Sequence, residues 1–433
     1  MSAELKVSRL IVEENHDLPL VRAHVALRTG AGDDPAAEDG LANFATELMA
    51  RGAGGRTRAR LDAAFDALGA TLEVVTDSDS TSFEVTVLRE KLDEALALIA
   101  DVLLRPDFPA DEADKLRREL KAQLDELRDD DGQLARRFFT RALYGEHPYG
   151  RSVIGSEATL DRVTVETARA WHAGALHAGN LVVGFAGDLA RDAAERACLR
   201  SFGEIPGGGA HNTARPDPPP VRGLRVTLVD KPDRTQSQIL FGQPAPKWGT
   251  PDYTALKVAT CAFGGTFTAR LMNEVRSKRG LSYGASARLG GGRGRRALVM
   301  HVFPSLTQTA ETLELVLRLY REWVEGGITE DELAFAKGYL SRSFAFSLAT
   351  PEDRLDLRAT IELAGLPADY ADSYVERIRA VTLDETRRAQ AAHLTSGDLE
   401  ICVVASAEEL LPLLDKAGLT ARLSIETVPF DSY

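Results

Sequence analysis

The segment 206-PGGGAHNTARPDPPPVRG-223 decides how this chain is read. Glycine and proline dominate it, and neither a helical nor a strand period runs through it. That is the composition of a linker. It divides the 433 residues into two halves of nearly equal length. Outward from it, the halves follow one plan. The first has a strand over 20–27, an acidic loop, a helix over 40–50 and a helix near 60–68. Alternating strands follow at 70-ATLEVVT-76 and 82-SFEVTVL-88, then an amphipathic helix, 91-KLDEALALIADVLL-104, and a charged helix from Asp111. The second has a strand over 238–242, a helix over 253–263, a further helix from about Thr268, and strands at 281-LSYGASARL-289 and 297-ALVMHVF-303. The amphipathic helix 310-AETLELVLRLYREWVE-325 and a helix from Glu330 complete the parallel. Period two marks the strands, and apolar residues at i, i+3 and i+4 mark the helices. Each half also closes on a strand, 181-LVVGFAGDL-189 and 399-LEICVVAS-406.

A repeat of about 200 residues is far longer than a solenoid unit and implies duplicated domains. The expected fold is therefore α+β: two homologous domains, each an antiparallel-rich mixed sheet with helices packed on one face. The expected boundaries are residues 1–207, a linker over 208–222, and residues 223–433.

Composition removes several function classes. A net charge of −13 argues against a nucleic-acid surface. No run of about 18 uncharged apolar residues exists, so no membrane span is expected. The start, MSAELKVSRLIVEENHDLPL, alternates like a strand and lacks the basic and apolar regions of a signal peptide. Cys198, Cys261 and Cys402 are odd in number and far apart, which suits a reduced, cytoplasmic setting. A periplasmic location would require a leader already removed.

Two places carry chemical interest. In the helix 40-GLANFATELMARG-52, Asn43, Thr46 and Glu47 stand at i, i+3 and i+4. This is the spacing of the inverted zinc motif H-x-x-E-H, whose two imidazoles bind the metal and whose glutamate is the base. An amide is a poor zinc ligand and a hydroxyl cannot replace a carboxylate base. A third ligand would have to come from the helix 118-RELKAQLDEL-127, where Gln123 or Leu124, with Asp125 and Glu126 beside them, are the candidate register. The second place is 263-FGGTFTARLMNEVRSKRGLSYGASARLGGG-292, in which Arg276 and Tyr283 lie seven positions apart. Strict alternation along the strand puts Tyr283 on the face of Ala285 and Ala287. Alone, Arg276 could simply pair with Glu274, and Tyr283 could be a half-buried strand aromatic. The glycine-rich 289-LGGGRGRR-296 lacks the G-K-[ST] ending of a phosphate loop and reads as a hairpin turn. His172 and His177 read as framework residues, and His147, before Pro148 in a loop, as a surface or framework residue.

These motifs resemble the pitrilysin/insulysin-type metallopeptidase family, in particular its two-domain, mitochondrial-processing-peptidase-like branch. The resemblance runs from about Leu10 to about Ser406. It includes the G-L-A-N-F frame, 141-RALYGEHPYGRSVIGS-156, 171-WHAGALHAGNLVVGFAGDL-189 and the G-G-T-F-T-A-R-L-M-N-E-V-R-S-K-R-G-L-S-Y run. Several bacterial members divide the work between two chains that close as the halves of a clam-shell chamber. One chain carries the intact zinc motif, and the other has lost it but keeps the arginine and tyrosine. The resemblance implies that this chain is of the second kind. It would hold no cofactor itself, with zinc in a homologous partner subunit bearing H-x-x-E-H. Its substrates would be short unfolded peptides, and Arg276 and Tyr283 would bind substrate and stabilise the oxyanion. It implies no nucleic-acid or membrane partner. A silent scaffold, like the core proteins of respiratory complex III, is the alternative. A self-sufficient homodimeric peptidase conflicts with Asn43, Thr46 and Glu47.

Overall fold

A computed structural model describes residues 7–209 and 214–432. Among these residues the chain builds two compact units. The first contains a mixed sheet of strands β1 (Arg9–Glu14), β2 (Leu20–Leu27), β3 (Glu73–Thr76), β4 (Thr81–Leu88) and β5 (Leu181–Gly187), in the order β1-β5-β2-β4-β3. Only the β1–β5 pair is parallel. The second contains β6 (Leu224–Asp230), β7 (Gln238–Pro244), β8 (Ser282–Leu289), β9 (Ala297–Pro304), β10 (Leu399–Ala405) and β11 (Ser424–Pro429). Its order, β6-β10-β7-β9-β8, repeats the first sheet position for position, with β11 added in parallel outside β6. The fold is α+β with two sheet-containing domains, and the shared strand order is the duplication that the halves of the sequence announce.

Burial explains the pattern of each strand. The closing strands β5 and β10 are buried at every position, as central strands covered on both faces must be. The main helical layer of the second unit, including Pro251–Gly264 and Thr309–Gly326, packs on the face that carries Phe241, Leu298, Met300 and Val302. The opposite face is covered by the helix Asp131–Tyr144, through Leu134, Phe138 and Phe139 against Val229, Leu240, Cys402 and Val404. In the first unit the helix Pro351–Leu363 lays Leu355 and Ala359 on Ile11, Ala26, Val182 and Ala186.

Packing thus groups the chain differently from its linear halves. The first unit comprises residues 1–124, 151–214 and 345–371, and the second comprises 125–150, 215–344 and 372–433. Each half of the sequence lends one helix to the other half's sheet. The proposed linker, 208–222, runs across residues 210–213, which lie outside the described residues; its described parts, 208–209 and 214–222, hold no helix or strand. Among the described residues, no helix is long and apolar enough to cross a membrane.

Candidate functional site

The helix Leu41–Met49 carries the Asn43, Thr46 and Glu47 triplet in the first unit. Its apolar stripe, Leu41, Phe44, Ala45 and Leu48, is buried. Its N-terminus is capped from a distance: the Asp34 carboxylate accepts from the Gly40 and Ala42 amides, at 3.1 and 3.0 Å. That capping satisfies two of the four amides a helix start leaves unpaired. Thr46 is fully buried, and its hydroxyl donates to the Ala42 carbonyl at 2.8 Å while sharing a bond with Thr76 Oγ1 at 3.0 Å. Burial raises the Glu47 carboxyl above its ordinary value, against the opposing pull of Arg51 and Arg58.

Arginines and further carboxylates surround Glu47. Arg51, itself buried, makes a forked pair with Glu119 at 2.6 and 3.2 Å, and Arg58 lies 3.4 Å from Glu112. In the candidate register for a third ligand, Gln123 is exposed and Leu124 is a buried core residue; Glu119, one helical turn earlier, pairs with Arg51, which stands one turn beyond Glu47, and Glu112 lies 3.7 Å from the same arginine. These positions do not fit a zinc ion. One carboxylate, a hydroxyl committed to its own helix and an amide stand where two imidazoles and a base are needed. Two guanidiniums hold the nearby acids. Among the described residues, no group of three or more His, Cys, Asp or Glu is arranged to hold a metal.

Arg276 and Tyr283 come together in the second unit. The short helix Arg270–Met272 runs into a π-helical turn, Asn273–Ser277, closed by the Lys278 amide on the Asn273 carbonyl at 2.9 Å. Leu271 and Val275 bury one side of it, and Arg270 anchors it through a forked pair with Glu332 at 2.6 and 2.9 Å. Gly280, at φ +64°, ends the turn in the left-handed conformation that glycine adopts without penalty. Glu274 is engaged by Lys278, at 2.6 Å, and by Arg279. Arg276 therefore has no carboxylate partner among the described residues. Its guanidinium lies between two rings, 4.7 Å from the centroid of Tyr283 and 4.7 Å from that of Phe267. Both rings are themselves exposed, Tyr283 by 77% and Phe267 by 63%. A cation is held by ring faces at this distance while its N–H edges stay available.

The placement of Tyr283 differs from strict alternation. Ser282 pairs with Pro304 and Ala285 with Val302, so three steps on β8 oppose two on β9. That is a β-bulge, and its extra residue reverses the face. Tyr283 points away from Ala285 and Ala287, which are buried in the core. It shares its face instead with Gly284, Ser286 and Arg288. The bulge is stitched by Ser282, whose hydroxyl donates to the Gly284 carbonyl at 2.7 Å and accepts from the Phe303 amide at 3.0 Å. A Cβ at Gly284 would stand 2.8 Å from the tip of the Phe303 ring, which would have to shift to admit it.

Sequence reasoning missed Phe267, although it stands in the same G-G-T-F-T run, and it missed Glu119. The segment 290–296 joins β8 to β9 as a hairpin connection, with no helix after it. His172 bonds the Leu103 carbonyl at 2.6 Å, and His147 bonds the Pro216 carbonyl at 2.8 Å; both serve the framework.

Two family models match the chain. Residues 9–157 match "Insulinase (Peptidase family M16)", and residues 162–340 match "Peptidase M16 inactive domain". An "Uncharacterized zinc protease" of Mycobacterium tuberculosis is 30% identical over 88% of this chain and 87% of its own length. A "Non-peptidase homolog" of Helicobacter pylori is 24% identical over 92% of this chain and 91% of its own. The crystal structure of a peptidase M16 inactive domain from Pseudomonas fluorescens superposes with a TM-score of 0.84 at 26% identity. It covers 92% of this chain and 96% of that one. The chain belongs to peptidase family M16.

Proposed function

We propose that this chain is the zinc-less subunit of a two-subunit metalloendopeptidase that degrades short unfolded peptides. The zinc would be held by a homologous partner with an intact H-x-x-E-H motif, and this chain would supply Arg276 and Tyr283. The observation that carries the reading is the state of Arg276: free of carboxylates, clamped between two exposed rings, with its N–H edges unspent. Peptide hydrolysis builds negative charge on the carbonyl oxygen. A guanidinium and a phenol aimed at that oxygen lower the barrier. The donor set around Asn43, Thr46 and Glu47 supports the division of labour. The buried, unpaired cysteines support a cytoplasmic setting.

The test is reconstitution with a family member that bears the intact motif. Peptidase activity should appear only in the mixture. Arg276→Ala and Tyr283→Phe should each lower its kcat/KM by roughly 10²–10³, the usual cost of removing an oxyanion donor. Unchanged kcat/KM in both variants would refute the role. A silent scaffold is the second reading, favoured by the "Non-peptidase homolog" description of the Helicobacter pylori relative. It predicts a stable complex whose activity ignores both substitutions.

A further inference from the structure

A cavity of about 520 Å³ opens on the face of the second sheet that the helix Asp131–Tyr144 covers. Four basic side chains line it, Arg136, Arg288, Arg296 and His301, and no described carboxylate does. Arg296 lies flat on Tyr149, with Cζ 3.4 Å from the ring centroid, and is part of the framework. Arg136 and Arg288 are exposed and make no ion pair among the described residues. His301 Nε2 shares a hydrogen bond with Gln238 Oε1 at 2.9 Å. Burial, reinforced by the charges of Arg136 and Arg288, pushes its pKa down to about 4. The imidazole is thus neutral, and two uncompensated guanidiniums look into one concavity. Its floor is apolar, formed by Phe139, Leu240 and Val299. Guanidiniums over an apolar floor suit an anion carried on a hydrocarbon stem, because the fork of donors matches a carboxylate and the floor takes the stem.

The register ties this cavity to Tyr283. Ser286 and Arg288 share the face onto which the bulge turns Tyr283. Arg288 lies five positions beyond Tyr283, roughly 17 Å along an extended strand. An extended peptide of about that many residues spans the interval.

We propose that the cavity is a subsite for a peptide's carboxylate, gripped by Arg136 and Arg288 while the rest of the peptide runs along β8 toward Tyr283. The substrate class implied is peptides with an acidic group about five residues from the carbonyl that meets Arg276 and Tyr283. This rests on the peptide-binding reading above. The carboxylate could be the free C-terminus or an acidic side chain.

Titration calorimetry on the purified chain, with no partner and no hydrolysis, separates these cases. Three peptides of one neutral sequence are needed: one with a free C-terminus, one amidated with an internal glutamate, and one amidated without any acid. At least one carboxylate peptide should bind roughly tenfold tighter than the neutral one, the expected worth of a charge-assisted contact. Whichever of the two does so identifies the source. Arg136→Ser and Arg288→Ser should each shrink that preference. Both arginines are exposed, so their loss does not threaten the fold. Equal binding of all three peptides, no binding, or a preference that survives both substitutions overturns the proposal. A preserved preference in a chain that never yields peptidase activity with a partner would instead sink the peptidase reading alone.

Discussion

Arg276 is held by ring faces rather than by a counter-charge, and this keeps it usable. A carboxylate partner would have consumed the donors that the proposed role requires. Glu274, the acid nearest in sequence, is drawn off by Lys278 and Arg279. Arg276 and Tyr283 were legible as a pair from their spacing within the matched run, but Phe267 was not. A single exposed aromatic in a loop gives no periodic signal, and its role exists only once the π-helical turn brings Arg276 over it. Glu400, in β10, illustrates the opposite electrostatic case. Burial pushes its carboxyl up to about 7 from an ordinary 4.5, over the opposing pull of Arg225 and Thr227. The folded value lies above the unfolded one, so the fold favours the protonated form. The stability contribution is full below about 4.5 and is lost as pH rises through about 7. Melting temperature should therefore fall between pH 5 and pH 8 through this residue. Glu400→Gln should flatten that fall by a few degrees; an identical pH profile in the variant would remove Glu400 from the account.

At the scale of elements, the strands and helices were legible because burial imposes period two or 3.6 on their apolar residues. The β8 strand shows where that reading stops. Its limits follow from alternation, yet its bulge depends on how β9 pairs with it, and pairing is not a local property. The bulge aims Tyr283, so the element that carries the candidate chemistry is the one that breaks the rule. Gly284 is part of the device. Gly284→Ala would bring a Cβ to 2.8 Å from the Phe303 ring and should destabilise the chain by about 1–3 kcal/mol, the common cost of overpacking. Phe303→Ala should relieve part of that cost. A double-mutant cycle by denaturant unfolding measures the coupling, and strict additivity would mean the ring does not hold the bulge.

Over the whole molecule, the exchange of helices between the halves sets what folds with what. The helix Pro351–Leu363 buries Leu355 completely on the first sheet, and Gly184 leaves room for it: a Cβ there would meet Leu355 Cδ1 at 2.3 Å. A fragment of residues 1–207 lacks that helix and leaves Ile11, Ala26, Val182 and Ala186 bare. It should aggregate or melt without cooperativity, whereas the same fragment joined through a flexible linker to residues 345–371 should show a cooperative transition in calorimetry. Equal behaviour of the two would show that the helix is dispensable to the first sheet. The linear halves did not disclose this exchange, since an amphipathic helix advertises an apolar face without naming the surface that receives it.

The amino-acid sequence by itself determined the duplicated α+β plan and the absence of imidazoles at Asn43, Thr46 and Glu47, which are written in local periodicity and residue spacing. Arg276 and Tyr283 were singled out only through the resemblance of the run that holds them, since neither residue type nor spacing marks them alone. Tertiary structure alone decided the face on which Tyr283 stands, the ring clamp on Arg276, the Glu119 and Arg51 pair beside Glu47, and the helix that covers each sheet. Those depend on strand register and on contacts between residues far apart in the chain, which no local pattern encodes.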